Sequence, residues 1–268
     1  MIRKHRFVAL SALLGFAFLY VPLASIILNA FNANENLVSW GGATMQWFAE
    51  AVANQDFRDA LATSFVIAII VGALSVTIAF LAALGRRRMR PGAVSAADDL
   101  MVLLRMILPE VVIVMSIFLV SRMVDIDLGY PLVIGSQVVY CSAYAFLIIE
   151  ARLRQLDRVH ENAAADLGAG PLSVFLKVTV PMVAPSLLVA FLMTFTFSLD
   201  DVVSPTFLGG TSVSTLPTMI MGLVRHGTTA EVNAIAVLAM VISLVPLFAA
   251  LSFTGVKTLG AVGAKNRS

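Results

Sequence analysis

Six stretches of this chain are apolar on every helical face, and short polar connections separate them. They run over about 7–30, 60–84, 100–123, 131–150, 182–207 and 232–256. Each reaches the roughly 20 residues that a helix needs to cross a hydrocarbon layer at 1.5 Å per residue. Apolar residues on all sides, rather than on one stripe, mark helices whose solvent is lipid or other helices. The pattern predicts an all-α membrane protein with six transmembrane helices in a single domain, 1–268. The longest connections, 31–59 and 151–181, are too short to hold a soluble domain.

Composition strengthens this reading. The chain is 59% hydrophobic and only 13% charged, more apolar than a soluble fold of 268 residues can cover. The net charge of +2 is small and the basic residues sit beside apolar runs, which excludes nucleic acid as a partner. A single cysteine, Cys141, inside an apolar run excludes a disulfide framework and a paired-cysteine metal site, and reads as a small buried hydrophobe. The run from Phe7 to Ala30 is too long for the apolar core of a signal peptide and is expected to stay as the first span.

Lys and Arg in the short connections set the orientation. Arg3, Lys4 and Arg6 precede span one; Arg86, Arg87, Arg88 and Arg90 follow span two. Arg152, Arg154, Arg158 and Lys177 follow span four, and Lys257, Lys265 and Arg267 lie in the tail. Fourteen of the 18 basic residues thus fall on one side. Arg58, Arg122 and Arg225 fall on the other, and Arg105 snorkels just inside span three. Both termini and the segment 157–181 are expected in the cytoplasm. Trp40 and Trp47 fall in the first outer connection, where aromatic rings rest at the membrane interface. Short helices are expected from Asn54 into span two and over Thr215–Val224, the latter on the surface or re-entrant.

The segment Glu161–Pro181 is Ala-rich, partly charged and flanked by apolar spans. Asp157 suits an N-cap and Glu161 the first turn of a helix. Ala163, Ala164 and Ala165 favour the helix without bulk. Gly168 suits the left-handed residue that ends it, and Pro171 the first turn of the next helix, which feeds span five through Pro181. The predicted product is a short helix, a turn and a second helix, a stiff lever joined to a span. On physical grounds alone a plain surface loop is equally consistent with it.

The spacing here resembles the cytoplasmic "EAA" loop of ABC-importer permeases. That pattern is Glu-Ala-Ala, three residues, Gly, nine residues, then Ile-x-Leu-Pro. This chain has Asn162-Ala163-Ala164, then Ala165-Asp166-Leu167, Gly168, nine residues and Val178-Thr179-Val180-Pro181. Asn162 replaces the family's Glu, with Glu161 beside it. Further motifs resemble the spermidine/putrescine branch: Leu108-Pro109-Glu110-Val111-Val112, Phe195-Thr196-Phe197-Ser198-Leu199-Asp200-Asp201, Thr215-Leu216-Pro217, Val224-Arg225-His226-Gly227 and Glu231-Val232-Asn233-Ala234. The resemblance implies a MetI-like permease architecture and a binding-protein-dependent importer of polyamines or a similar cationic amine. It implies four kinds of partner: a second, different permease subunit, two ATPase subunits, an extracytoplasmic binding protein and the bilayer. It places the chain in a bacterial inner membrane. ATP and magnesium would sit on the ATPases, with no cofactor or metal on this chain. Glu161, Asn162, Ala163, Ala164, Asp166, Leu167, Gly168 and Pro181 are the coupling candidates.

Two acidic positions point to the solute path. Glu110 lies about ten residues into span three, roughly 15 Å deep, and Pro109 frees the carbonyl of Arg105. An ionisable residue at that depth serves a pathway or is paired with a neighbouring helix. Thr194, Phe197, Ser198 and Asp201 share one helical face near the outer end of span five. Carboxylate, hydroxyls and an aromatic ring suit an ammonium group. The alternative is a cap or gate, for instance Asp201 paired with Arg225. Asp200 points away. A stand-alone six-span channel or secondary transporter is the competing function, but it calls for a more polar pore or inverted repeats. The sequence lacks the serine-hydrolase, zinc-protease and Walker A motifs, so no chemistry is expected of the chain.

Overall fold

A computed structural model describes residues 2–88 and 107–265, with side chains over 11–87, 107–246 and at 248. Eleven helices account for nearly all of the described chain: α1 Ile2–Ala30, α2 Gln46–Ala53, α3 Gln55–Arg88, α4 Glu110–Met123, α5 Tyr130–Gln155, α6 Val159–Asp166, α7 Pro171–Val174, α8 Val180–Leu199, α9 Val203–Leu208, α10 Leu216–His226 and α11 Ala230–Lys265. A π-helical turn, Phe175–Thr179, joins α7 to α8. One antiparallel bridge, Asn32 with Ala43, is the only β pairing among the described residues.

Among the described residues, four helices are long and apolar enough to cross a membrane: Ser11–Ala30, Gln55–Arg87, Tyr130–Gln155 and Pro171–Leu199. Span three differs from its expectation. Pro109 has an extended backbone (φ −57°, ψ 134°) and caps α4, so the helix starts at Glu110 instead of kinking there. A proline has no N–H to give a preceding turn, and its ring is best tolerated at a helix start. Residues 100–106, Arg88 as a side chain, and Arg90 and Arg105 lie outside the described residues. Span five also differs: the rod begins earlier, at Pro171, and ends at Leu199. A non-helical elbow at Asp200–Val202 separates α9, so 182–207 is not one helix. The sixth apolar helix, expected over about 232–256, runs from Ala230 to Lys265 with Pro246 inside it.

The chain contacts divide into two compact units, Met1–Ala60 with Thr218–Ile242, and Leu61–Pro217 with Ser243–Ser268. In the first, Ala30, Trp47, Ala230 and Ala234 form a small core with Phe48 against it. Trp47 is not an interfacial anchor: it is 8% exposed and its Nε1 donates to the carbonyl of Asn32 at 2.8 Å. Trp40 is the exposed one. Asn32 organises the preceding turn, its Oδ1 accepting from the backbone of Asn34 and Gly41.

In the second unit the buried positions of α3 recur about every fourth residue: Ile67, Val71, Ser75, Ala79 and Ala83. Val66, Ile70, Leu74 and Ile78, equally apolar, are exposed between them. That is the signature of a helix with protein on one side and lipid on the other. Small residues set the packing distance. A methyl on Gly72 would fall 2.9 Å from the Phe191 ring, so this glycine lets α3 and α8 approach. Ala79, Ala83, Ala145 and Ala190 line the layer that holds Phe146, Ile149 and Leu153. A second layer joins Ile67, Val114, Val133, Cys141 and Leu208.

Candidate functional site

A cavity of about 550 Å³ opens at the elbow. Pro109 and Glu110 at the start of α4, Tyr140 and Tyr144 on α5, Phe197 on α8, and Asp200 to Val203 border it. Two chain breaks therefore meet here, each with an acidic residue at its edge. Tyr140 and Tyr144 lie one turn apart on α5 and face the same way. The Tyr144 ring packs edge-on to Phe197 at 5.1 Å, and the Tyr140 hydroxyl donates to the Phe197 carbonyl at 3.4 Å.

Asp201 is 6% exposed and both of its oxygens are engaged. Oδ1 accepts from the backbone N–H of Val203 at 2.7 Å and Ser204 at 3.2 Å, capping α9. Oδ2 accepts from Gln137 Nε2 at 2.6 Å. Gln137, fully buried, accepts in turn from Ser198 Oγ at 2.5 Å. Asp201 thus caps α9, a contact that the sequence did not indicate, and it borders the cavity as well. Asp200, expected to point away, also borders it, and accepts from Ser243 Oγ at 2.7 Å.

Of the predicted pathway residues, Glu110, Phe197 and Asp201 come together at the cavity. Ser198 stands behind it as part of the Gln137 link. Thr194 is fully buried and bonds back to the carbonyls of Ala190 and Phe191 in its own helix, so it serves α8 rather than the cavity. Gln137, Tyr140 and Tyr144 were missed. Their signal was three polar or aromatic positions spaced three and four apart in an otherwise apolar span.

The Glu161–Pro181 segment folds as a lever. Arg158, not Asp157, is the N-cap of α6; Asp157 stands two positions before Val159, and its carboxylate accepts from the Val159 N–H at 3.2 Å. Gly168 has φ +86° and ends α6. Its N–H donates to Ala165 O, and that of Ala169 to Ala164 O, which is the paired closure of a left-handed cap. Pro171 opens α7 as predicted. Pro181 has no N–H to offer, and the turn before it widens: Val180 donates to Phe175 O, five residues back. From Pro171 to Leu199 the result is one rod of 29 residues, about 43 Å long.

Glu161 is turned inward. Its carboxylate takes Arg87 Nη1 at 2.7 Å and the Thr179 hydroxyl at 2.8 Å. Arg87 also donates to Leu156 O, so one guanidinium joins α3 to α6 and to the end of α5, and the Glu161 carboxylate carries the link on to Thr179 in the rod. Burial pushes the Glu161 carboxyl up, but the Thr179 and Arg87 hydrogen bonds and the charges of Arg87 and Arg158 outweigh it and hold it below the usual range. A companion pair, Arg86 with Glu150 at 3.0 Å, fastens α3 to α5. Asn162, Ala163, Asp166, Leu167 and Gly168 are left exposed, Leu167 by 89%. Ala164 is half-buried and Pro181 exposed.

Comparison with known proteins gives the family and the fold. Residues 75–255 match the family described as "Binding-protein-dependent transport system inner membrane component". The chain belongs to this family. It is 33% identical over 234 residues to the "Putrescine transport system permease protein PotI" of Escherichia coli K12, covering 85% of this chain and 83% of that protein. It is 32% identical over 229 residues to the "Spermidine/putrescine transport system permease protein PotC" of Haemophilus influenzae, covering 85% and 89%. Among solved structures, the bacterial transporter for "import of the acidic polysaccharide alginate" aligns with TM-score 0.71 at 16% identity over 94% of this chain and 95% of that one. The methionine transporter MetNI aligns at 0.60 with 18% identity over 72% and 91%. These establish the ABC-importer permease fold. The inner membrane component family is one of permease subunits, which carry solute within a larger importer. A stand-alone channel is not favoured. The matched region contains both the cavity and the lever.

Proposed function

We propose that this permease subunit carries polyamines, or a similar cationic amine, across a bacterial inner membrane. The observation that carries this reading is the meeting of Glu110, Asp200 and Asp201 with the rings of Tyr140, Tyr144 and Phe197 around one cavity. Carboxylates supply charge for ammonium groups, and aromatic faces supply cation–π contact for a chain that alternates ammonium and methylene. The names of the relatives point to the same cargo class.

The chain spans the membrane six times with both termini in the cytoplasm. This rests on the four long helices, the apolar start of α11, the apolar run that ends in α4, and the one-sided distribution of Lys and Arg. A second, different permease subunit completes the pathway, and an extracytoplasmic binding protein delivers the cargo. Two ATPase subunits hold ATP and magnesium; this chain contributes no nucleotide site. They grip the exposed face of the lever, Asn162, Ala163, Asp166 and Leu167, with Leu167 as the apolar plug. When the ATPases close, α6 moves and the rod transmits the movement to the elbow. The lever is well suited to this, because Arg87 ties its root to α3 while its tip stays clear.

The test is uptake by the reconstituted complex. Glu110→Gln and Asp201→Asn are each expected to lower polyamine uptake and polyamine-stimulated ATP hydrolysis about ten-fold. Parental uptake in both variants would remove the cationic cargo from this cavity.

A further inference from the structure

We propose that Gln137 is a positioning residue for transport, holding the Asp201 carboxylate at the cavity edge across the break between α8 and α9. This rests on the cationic-cargo reading of the cavity. The geometry is specific. Gln137 is fully buried on α5 and does not border the cavity, whereas Asp201 does. The Gln137 amide faces two helical segments at once: its oxygen accepts from Ser198, near the end of α8, and its nitrogen donates to Asp201, in the elbow. An amide is suited to this because it offers an acceptor and a donor a short distance apart on one rigid plane. The amide orientation follows from its partner: a carboxylate oxygen that accepts requires the nitrogen on that side.

The remaining contacts of Asp201 are backbone N–H groups of Val203 and Ser204. Among the described residues, no Lys or Arg pairs with it. A buried acceptor held by neutral donors keeps its place without being neutralised, and it remains able to attract a cation that enters beside it. Glu161 is the contrast in the same chain, since Arg87 already answers its charge. The elbow needs such a clamp because three residues of non-helical backbone would otherwise let the carboxylate swing. Tying it to α5 also fixes it relative to Tyr140 and Tyr144, one and two turns further along the same helix.

Two variants separate positioning from bulk structure. Gln137→Met keeps the length and apolar packing but leaves Asp201 Oδ2 without its donor. In Gln137→Glu/Asp201→Asn the amide and the carboxylate change places, so a hydrogen bond between the positions persists while the charge moves off the cavity edge. The complex, with binding protein in excess, is assayed for uptake of a diamine and of a monoamine, and for thermal unfolding. Gln137→Met is expected to lower diamine uptake about ten-fold and to lower the diamine-to-monoamine ratio, because a misplaced carboxylate affects the more highly charged cargo most. Loss of folded protein alone would lower both uptakes alike and leave the ratio unchanged. The exchanged pair is expected to unfold near the parental temperature and still to lack diamine uptake.

Parental uptake and ratio in Gln137→Met, with Asp201→Asn impaired, overturn the positioning role and leave the cargo reading standing. Uptake restored in the exchanged pair overturns it as well, since the link would then matter only as a structural tie. If Gln137→Met does not reach the membrane, Gln137→Asn, whose amide sits one methylene further back from Ser198 and Asp201, takes its place: a lowered diamine-to-monoamine ratio supports the proposal, and an unchanged ratio overturns it. Parental uptake in both Glu110→Gln and Asp201→Asn instead removes the cargo reading beneath it.

Discussion

Glu161 in the lever and Asp201 in the elbow are both engaged carboxylates, but they are held in opposite ways. Glu161 takes a guanidinium and a hydroxyl, and its charge is cancelled where it sits. Asp201 takes an amide and two backbone N–H groups, and its recorded partners carry no charge. The first arrangement is that of a fastener between helices. The second is that of a charge kept in place for something that arrives later. Charge compensation, rather than burial or hydrogen bonding alone, therefore distinguishes the two acids in this chain. Gly168 differs from both: the space where a side chain would stand is open, and its importance lies in its backbone angle and the turn that angle closes.

The comparison breaks first at Asp201. Asp201→Ala removes the α9 cap and leaves the Gln137 amide donor buried without a partner. A loss of about 2–4 kcal/mol in the stability of the detergent-solubilised protein is expected, together with loss of uptake. A smaller loss, under about 1 kcal/mol, would mean that water or a neighbour replaces the carboxylate, and that the elbow is less fixed than its bonds imply.

Next in size is Gly168→Val. There is open space around this glycine, so no clash arises, but a β-branched residue at φ +86° costs about 1–2 kcal/mol and undoes the paired closure at Ala164 and Ala165. The variant is expected to insert and to keep its amine response to binding protein at the cavity, while ATP hydrolysis no longer drives uptake. Full ATP-driven uptake would show that the lever does not depend on a sharp turn.

The smallest effect is expected at Glu161. Glu161→Gln removes the charge but keeps the hydrogen-bonding shape, at a cost below about 1 kcal/mol for a partly exposed pair. Its pH signature is more telling than its size. The folded-state carboxyl is held below the usual range, so the tie contributes fully above that range and disappears as pH falls through the lowered value. Hydrogen exchange over 159–167 should stay slow from neutral to weakly acidic pH and quicken only below the ordinary glutamate range. Glu161→Gln should flatten that step. A step near neutral pH would contradict the Arg87 pairing.

The lever was largely legible in the sequence. Its parts obey local rules: an acid ahead of a helix, small residues through it, a glycine after it and a proline opening the next. Each rule acts within a few residues, and the structure keeps all of them near their predicted places. The inward turn of Glu161 was not legible, because its partner Arg87 lies 74 positions away. The same distance problem hid the cavity. Glu110, Phe197 and Asp201 were identifiable as polar or aromatic residues in apolar surroundings, but Gln137, Tyr140 and Tyr144 acquire meaning only when α5 is packed against the elbow. Thr194 went the other way: its spacing suggested a shared face with Ser198 and Asp201, yet its hydroxyl is satisfied within its own turn.

By itself the sequence determined that the protein is helical and lives in a membrane, and where the lever turns. These follow from apolar length and from backbone preferences that a residue expresses whatever lies around it. Only the tertiary structure decided that Pro109 starts a helix, that span five breaks at Asp200, and which of two engaged carboxylates is neutralised. Those outcomes depend on which side chains approach across the bundle. A cation beside a carboxylate cancels it and an amide does not, and no local pattern records which of the two will be there.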